Sequence, residues 1–295
     1  MRPTAESCEE SNVLDRVRRS LEPGYFRKAF RDKLMRAIDD VVRPYHEVQQ
    51  GRIDDLQHQL NEAIRYQGDR LAELTANYEH RQRRDLLFAA ERDAAADSAR
   101  FALEHMPTAP QFPDPHATLH HALSLMDVDG MVLEFGVYTG TTLKIIANAS
   151  AGREVYGFDS FTGLPEDWRT GFSAGAFGVD QLPDVPGAEL IAGWFDDTLP
   201  GFVADHPGPV AFLHVDCDLY SSTKTVLELV GPRLRAGSVV LFDEYFNYQG
   251  WRDHEHKAWM EYVAQTGITF SYEGYSVDHE QVIVKITDVP AERER

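Results

Sequence analysis

Cysteine is nearly absent. Only Cys8 and Cys217 occur in 295 residues, and neither has a CxxC partner. Disulfide frameworks and zinc fingers are thereby excluded. Long apolar runs are missing too: nothing approaches the roughly 18 consecutive apolar residues of a membrane span, so no membrane partner is expected. The opening Met1-Arg2-Pro3 leads into no apolar core of an export signal, and a reducing cytoplasm is the expected location. Basic charge is scarce, with 29 Lys and Arg against 48 Asp and Glu for a net charge of −19. The shortfall is local. The first 100 residues hold 18 basic and 19 acidic side chains, and the rest of the chain holds 11 and 29. A surface that acidic repels phosphate backbones, which argues against a nucleic-acid partner.

What is present suffices for two units, at about 150 residues per domain. Residues 1–106 read as a helical or coiled-coil region. Pro23-Gly24 breaks the pattern once and Pro44 breaks or kinks it again. Between them Phe26, Phe30, Leu34, Ile38 and Val41 keep helical spacing. After Pro44, Ile53, Leu56, Leu60, Ile64, Gln67, Leu71, Leu74 and Tyr78 form a heptad seam interrupted by one stutter. Such a stripe predicts a homodimer paired through these helices, a hairpin closed by the segment from Asp85 to Glu104, or a helix laid on the following domain.

Residues 107–115 contain four prolines and read as a linker. From 116 to 295 strand-like and helix-like segments alternate. Strands are expected at Met131–Gly136, Glu154–Phe158, Leu190–Ala192, Val210–Val215 and Ser238–Phe242. Helices are expected at Ala117–Met126, Thr139–Ala149, Ser221–Leu234 and Trp251–Gln265. Strands at Ile268–Tyr272 and Gln281–Ile286 lack an intervening helix and should pair as an antiparallel edge hairpin. The pattern predicts an α/β fold: an open, mostly parallel sheet with helices on both faces. Residues 161–186 are rich in Gly, Pro and aromatics without periodicity, the mark of a functional loop such as a lid.

Ligands of such sheets bind beyond the carboxyl ends of the strands. The first strand runs into Glu134-Phe135-Gly136-Val137-Tyr138-Thr139-Gly140, a strand, a glycine turn and a helix start. It is not the dinucleotide GxGxxG turn. The second strand ends at Asp159, where a carboxylate can accept hydrogen bonds from ribose hydroxyls. Ser160 follows, and then Phe161, able to pack on a purine. The fourth strand ends His214-Val215-Asp216-Cys217-Asp218 and the fifth Asp243-Glu244. Carboxylates crowded at adjacent strand tips repel one another, and a hard divalent cation relieves that cost. Asp216, Asp243 and Glu244 are the expected ligands, with Asp218 as a fourth ligand or a supporting group. His214 is expected to pack beneath them.

The motifs EFGVYTGTTL, YGFDSFTGLPEDW, GWFDDTLP, HVDCDLYSSTKTVLE and LFDEYFNYQGW, in this order, together resemble the macrocin O-methyltransferase family of class I S-adenosylmethionine-dependent enzymes. The resemblance spans about Ala117 to Asp288 and implies a seven-stranded Rossmann-like methyltransferase sheet. It also implies S-adenosylmethionine as cofactor, with Glu134, Gly136 and Gly140 at the methionine end, Asp159 at the ribose and Gly193, Trp194 and Phe195 along the adenine; Tyr138, Thr139, Ser160 and Phe161 are expected to join the cofactor site. Mg²⁺ at Asp216, Asp243 and Glu244, and a sugar or natural-product hydroxyl as acceptor, complete what it implies.

The chemistry asks for an in-line methyl donor, a cation that acidifies a hydroxyl, and a base. Asp216 is expected to take part in catalysis. For the base, Trp251-Arg252-Asp253-His254-Glu255-His256 offers two imidazoles that point to different faces of a helix, and His254 is preferred. Two other readings compete. One is an NAD-dependent oxidoreductase using Asp159 in the same way. The other is a catalytically silent Rossmann-like scaffold oligomerised by its coil.

Overall fold

The computed structural model describes residues 23–150 and 152–290. The helical pattern expected before Pro23 therefore lies outside the described residues, as does Cys8. The chain divides into two compact units between Arg83 and Arg84.

Among the described residues the first unit is one helix, α1 (Pro23–Arg84). Pro23 sits at its first position, where the missing N–H costs nothing. The helix continues through Pro44 without the expected break. Ion pairs and hydrogen bonds one turn apart run along it: Arg43 with Asp39, Gln50 with Asp54 and Arg70 with Glu73. None of its described side chains is buried. The seam from Ile53 to Tyr78 is exposed over its whole length, and Leu86 and Leu87, part of the expected covering face, are exposed as well.

The second unit starts ahead of the proline-rich stretch rather than after it. Its α2 (Leu86–His105), capped by Asp85, buries Ala94, Ser98, Phe101 and Ala102. Phe101 packs on Tyr245 and Trp251 and ties this helix to the sheet domain. Then follow β1 (Gln111–Phe112), α3 (Pro115–Ser124), β2 (Met131–Phe135), α4 (Thr141–Ala149), β3 (Val155–Asp159), β4 (Glu189–Ala192), α5 (Phe195–Asp205), β5 (Val210–Val215), α6 (Tyr220–Leu229), β6 (Leu234–Phe242), α7 (Glu255–Thr266), β7 (Thr269–Ser276) and β8 (Val282–Asp288).

The strands form one sheet of eight, not seven, in the order β1-β7-β8-β6-β5-β2-β3-β4. The additional strand lies inside the expected linker. Prolines hold residues 111–112 extended, and they pair with the outer edge of β7, where a proline is tolerated. β7 and β8 form the anticipated antiparallel pair. Two helices differ from expectation. α5 follows Trp194 despite Pro200, with Asp196 and Asp197 in its first turn matching the positive end of the helix dipole. The helix expected from Trp251 is split by a 3₁₀ turn at Trp251–Asp253, and α7 begins only at Glu255.

The central strands β2 and β5 are buried along their entire length. This suits parallel strands covered on both faces. One face packs Phe135, Phe158, Val215, Phe242 and Trp259. The other packs Leu119, Leu143, Ile146, Phe212 and Leu241. The connections run outward in opposite senses from β2 and β5, so the strand order reverses between them. That reversal opens a crevice beyond their carboxyl ends.

Candidate functional site

A cavity of about 760 Å³ occupies this crevice. Its floor comes from the turns after β2, β3, β5 and β6, which supply Gly136, Asp159, Asp216, Asp218, Asp243 and Glu244. One wall carries Trp194 and Phe195 at the start of α5. The loop after β3 closes it over with Leu164, Trp168, Arg169, Phe172 and Phe177.

The register of β2 against β5 sets Glu134 beside His214. Glu134 is fully buried, and its Oε1 lies 2.8 Å from His214 Nδ1. It therefore sits beneath the floor, not in the cavity lining. His214 Nε2 points to Asp243, at 3.6 Å from Oδ1. Burial acts to lower the pKa of His214. The proximity of Asp243, the hydrogen bond and charge of Glu134 and the charge of Asp216 outweigh this and raise it well above the usual range.

Around His214 the acids are crowded. Asp216 is raised well above the carboxylate range by burial and by the charge of Asp243. Asp218 is raised to about 7, first by burial and then by Asp243. Glu244 follows for the same two reasons. Asp243 is the exception: burial would raise it, yet His214 and Gln281 hold it below its ordinary value. Gln281 Nε2 donates to Asp243 Oδ1 at 2.9 Å, and Gln281 Oε1 accepts from the Ser276 hydroxyl at 2.7 Å. Asp243 is thus held by a buried polar chain reaching back to the sheet.

His214, Asp216 and Asp243 each present a ligand atom within 4.8 Å of the others. This places His214, rather than Glu244, with the two aspartates. Glu244 still lines the cavity, and its Oε2 is buried without a hydrogen-bond partner. His214 is oriented through Nδ1 by Glu134, leaving Nε2 towards the acids, the usual arrangement of a metal-binding imidazole. The surrounding carboxylates favour positive charge at this point, whether a protonated imidazole or a cation bears it. The donor set fits a divalent ion.

Asp159 ties two loops together. Its Oδ2 accepts from the backbone N–H of Val137 and Tyr138 at 2.9 and 2.8 Å, and Oδ1 accepts from Phe161 N–H. One lone pair of Oδ1 remains for a ligand hydroxyl. Tyr138 and Phe161 both take positive φ, 46° and 57°. Strain of this kind is held by such bonds and gathers at ligand sites. Gly136 is required for a reason the sequence does not reveal: a Cβ there would lie 1.6 Å from the carbonyl oxygen of Asp216. Gly140 caps α4 in the left-handed conformation, and Val185 leaves no room for a Cβ.

Several expected site residues therefore lie together: Gly136, Tyr138, Asp159, Ser160, Trp194, Phe195, Asp216, Asp243 and Glu244 all line the cavity. Thr139, Gly140 and Gly193 shape the adjoining turns without lining it. Phe161 is buried in the core below instead of being presented to a purine. His254 is also outside the lining. The chain enters the 3₁₀ turn at Trp251 and leaves His254 as the hinge before α7, its ring against Tyr248. His256 is enclosed by Phe101, Tyr245 and Trp251.

Burial lowers the pKa of His256 to about 4, with Arg252 adding to the effect. The folded value lies below the unfolded one of about 6.5, so the unfolded chain binds the extra proton between them. The stability contributed by neutral His256 is complete above pH 6.5 and is lost as pH falls towards 4. Replacing His256 with Leu is expected to flatten this part of a melting-temperature profile between pH 7 and 5. An unchanged slope would show that the ring protonates without penalty.

The residues missed by pattern are those of the loop after β3. Arg169 forms a two-bond ion pair with Glu280 at 2.9 and 3.0 Å and lies 3.9 Å from the centre of the Trp168 ring. Glu166 accepts from the Ser221 hydroxyl at 2.8 Å. The composition marked this segment as functional. It carries no periodicity that would have selected individual side chains.

Residues 133–245 match a protein family described as a methyltransferase domain. Among curated proteins, the chain is similar to 8-demethyl-8-(2,3-dimethoxy-alpha-L-rhamnosyl)-tetracenomycin-C 4'-O-methyltransferase of Streptomyces olivaceus, at 30% identity over 40% of this chain and 54% of that protein. It is also similar to demethyldecarbamoylnovobiocin O-methyltransferase of Streptomyces niveus, at 28% identity over the same shares. The chain thus spans about half the length of these relatives. Among solved structures, the calicheamicin methyltransferase CalS11 aligns with a TM-score of 0.46 and 24% identity, over 58% of this chain and 80% of that one. Among the described residues no helix is long and apolar enough to cross a membrane.

Proposed function

We propose that the chain is an S-adenosylmethionine-dependent O-methyltransferase of a small-molecule hydroxyl, that of a sugar or natural-product moiety, assisted by Mg²⁺. The observation that carries the reading is the single cavity in which Asp159 at one strand tip and the acids after β5 and β6 face a common space. The matched family and the two curated relatives supply the reaction class.

In this reading Gly136, Tyr138, Asp159 and Ser160 hold the cofactor, and Trp194 and Phe195 form the wall for its adenine. Bound there, S-adenosylmethionine supplies a methyl group already activated on a sulfonium. Asp216 and Asp243 hold the cation with His214 and Glu244 beside them; the cation supplies a Lewis acid that lowers the pKa of the acceptor hydroxyl. Glu134 fixes the His214 ring, and Gln281 fixes Asp243. The loop carrying Trp168 and Phe172 keeps water from the reacting atoms. With His254 outside the lining, a cavity carboxylate would take the hydroxyl proton.

Calorimetry separates this reading from the alternatives. Binding of S-adenosylmethionine, with none of NAD, is expected. Asp159→Ala should weaken it about 10–100-fold, because the mutation removes a ribose acceptor and releases three backbone N–H groups. Binding of NAD would favour an oxidoreductase. Binding of neither would favour a silent module.

A further inference from the structure

We propose that α1 is the contact for a second copy of this chain, packed antiparallel, with Leu34 of each helix opposite Leu74 of the other. Along α1 large apolar side chains stand exposed, from Phe26 and Phe30 at 61% and 71% to Leu71 and Leu74 at 66% and 52%. No other described element belongs to this unit. Yet helices of proteins draw most of their stability from packing one face. α1 also carries Gly51, Gly68 and Pro44 in its interior, each of which weakens an unsupported helix.

The occupant follows from length, pattern and charge. A helix of 62 residues offers a stripe that on pairing buries on the order of 1,000 Å² from each copy, enough for a stable specific interface. Read backwards, the stripe matches itself. With Leu34 opposite Leu74, Ile38 meets Leu71, Tyr45 meets Ile64 and Val48 meets Leu60. The pairing has a two-fold axis near residue 54 and closes upon itself.

Charge selects the direction. The stretch 27–36 carries Arg27, Lys28, Arg31, Lys33 and Arg36 against Asp32 alone. In a parallel pair it would lie along its own copy, and Arg83 and Arg84 would do the same at the other end. Antiparallel, the basic stretch lies along residues 72–81, where Glu73 and Glu79 outnumber Arg81. The acidic middle meets itself in either arrangement, so the ends decide.

The test uses the full chain in a Cys8→Ser background, where the remaining Cys217 is buried. Light scattering should give twice the chain mass. Under mild oxidation the double variant Leu34→Cys/Leu74→Cys should form covalent dimers, and either single variant should not. Self-linking of the single variants would establish a parallel pair and overturn the proposal. A dimer in which no variant links would overturn the register. A single-chain mass at every concentration would overturn the second copy itself, and binding of that monomer to anionic vesicles would assign the stripe to a lipid surface. Leu34→Lys/Leu74→Lys should yield a monomer that still binds S-adenosylmethionine, separating this result from any failure of the proposed activity.

Discussion

Asp243→Ala is expected to abolish measurable Mg²⁺ binding and to lower methyl transfer by about 10²–10³-fold, the scale of a catalytic cation's contribution. Asp243 lies at the centre of the acidic group. It accepts from Gln281 and faces His214 Nε2, and its charge raises the pKa of Asp216, Asp218 and Glu244. Removing it takes one donor from the set that lies within 4.8 Å. It also leaves the buried Gln281 amide without its acceptor, a cost of about 1–3 kcal/mol. The measurements are a magnesium titration by calorimetry and a turnover assay with and without EDTA, alongside a melting curve. Full turnover after exhaustive chelation, in parent and variant alike, would return these carboxylates to a structural role.

The second large effect is on stability. Gly136→Ala should destabilise the second unit by about 4 kcal/mol or more, the range of severe core lesions. The clash is between backbone and backbone: the added carbon would lie 1.6 Å from the Asp216 carbonyl oxygen and 2.7 Å from its carbon. No rotamer relieves it, and φ of +98° adds strain of its own. At about 2–4 °C per kcal/mol for a unit of this size, melting should fall by about 8–16 °C. Gly152→Ala serves as control. Gly152 has φ +89° with nothing within 4 Å of a Cβ, so it carries the strain alone and should cost about 1–2 kcal/mol. Equal losses at the two positions would mean that the strands part to admit the methyl group.

The antiparallel β7–β8 pair, the buried runs at Met131–Phe135 and Val210–Val215 and the loop of residues 161–186 were legible because each is a local pattern. A continuous apolar run bounded by turns marks a central strand wherever it stands. The chemistry of the strand tips was legible for a related reason. Carboxylates at the ends of parallel strands share one edge of the sheet whatever the details of packing, so Asp159, Asp216, Asp243 and Glu244 meet in one cavity.

What pairing and packing decided could not be read along the chain. The two-residue strand at Gln111–Phe112 exists only because β7 lies beside it. Pro200 stays within α5 because packing of Leu199 and Phe202 overrides its local preference, and among the described residues nothing packed against α1 accounts for Pro44 staying within it. The register of β2 with β5 made Glu134 a partner of His214, buried beneath the cavity it was expected to line. The 3₁₀ turn at Trp251 left His254 against Tyr248, outside the cavity lining, and enclosed His256 among aromatic rings. Gly136, chosen in the sequence for its closeness to a ligand, owes its identity to the carbonyl of Asp216, 80 positions further along the chain. Which chemistry stands at the sheet's edge follows from local pattern, since that pattern sets where strands end. Which of those groups face one another follows from the fold, since it depends on strands far apart in the chain lying side by side.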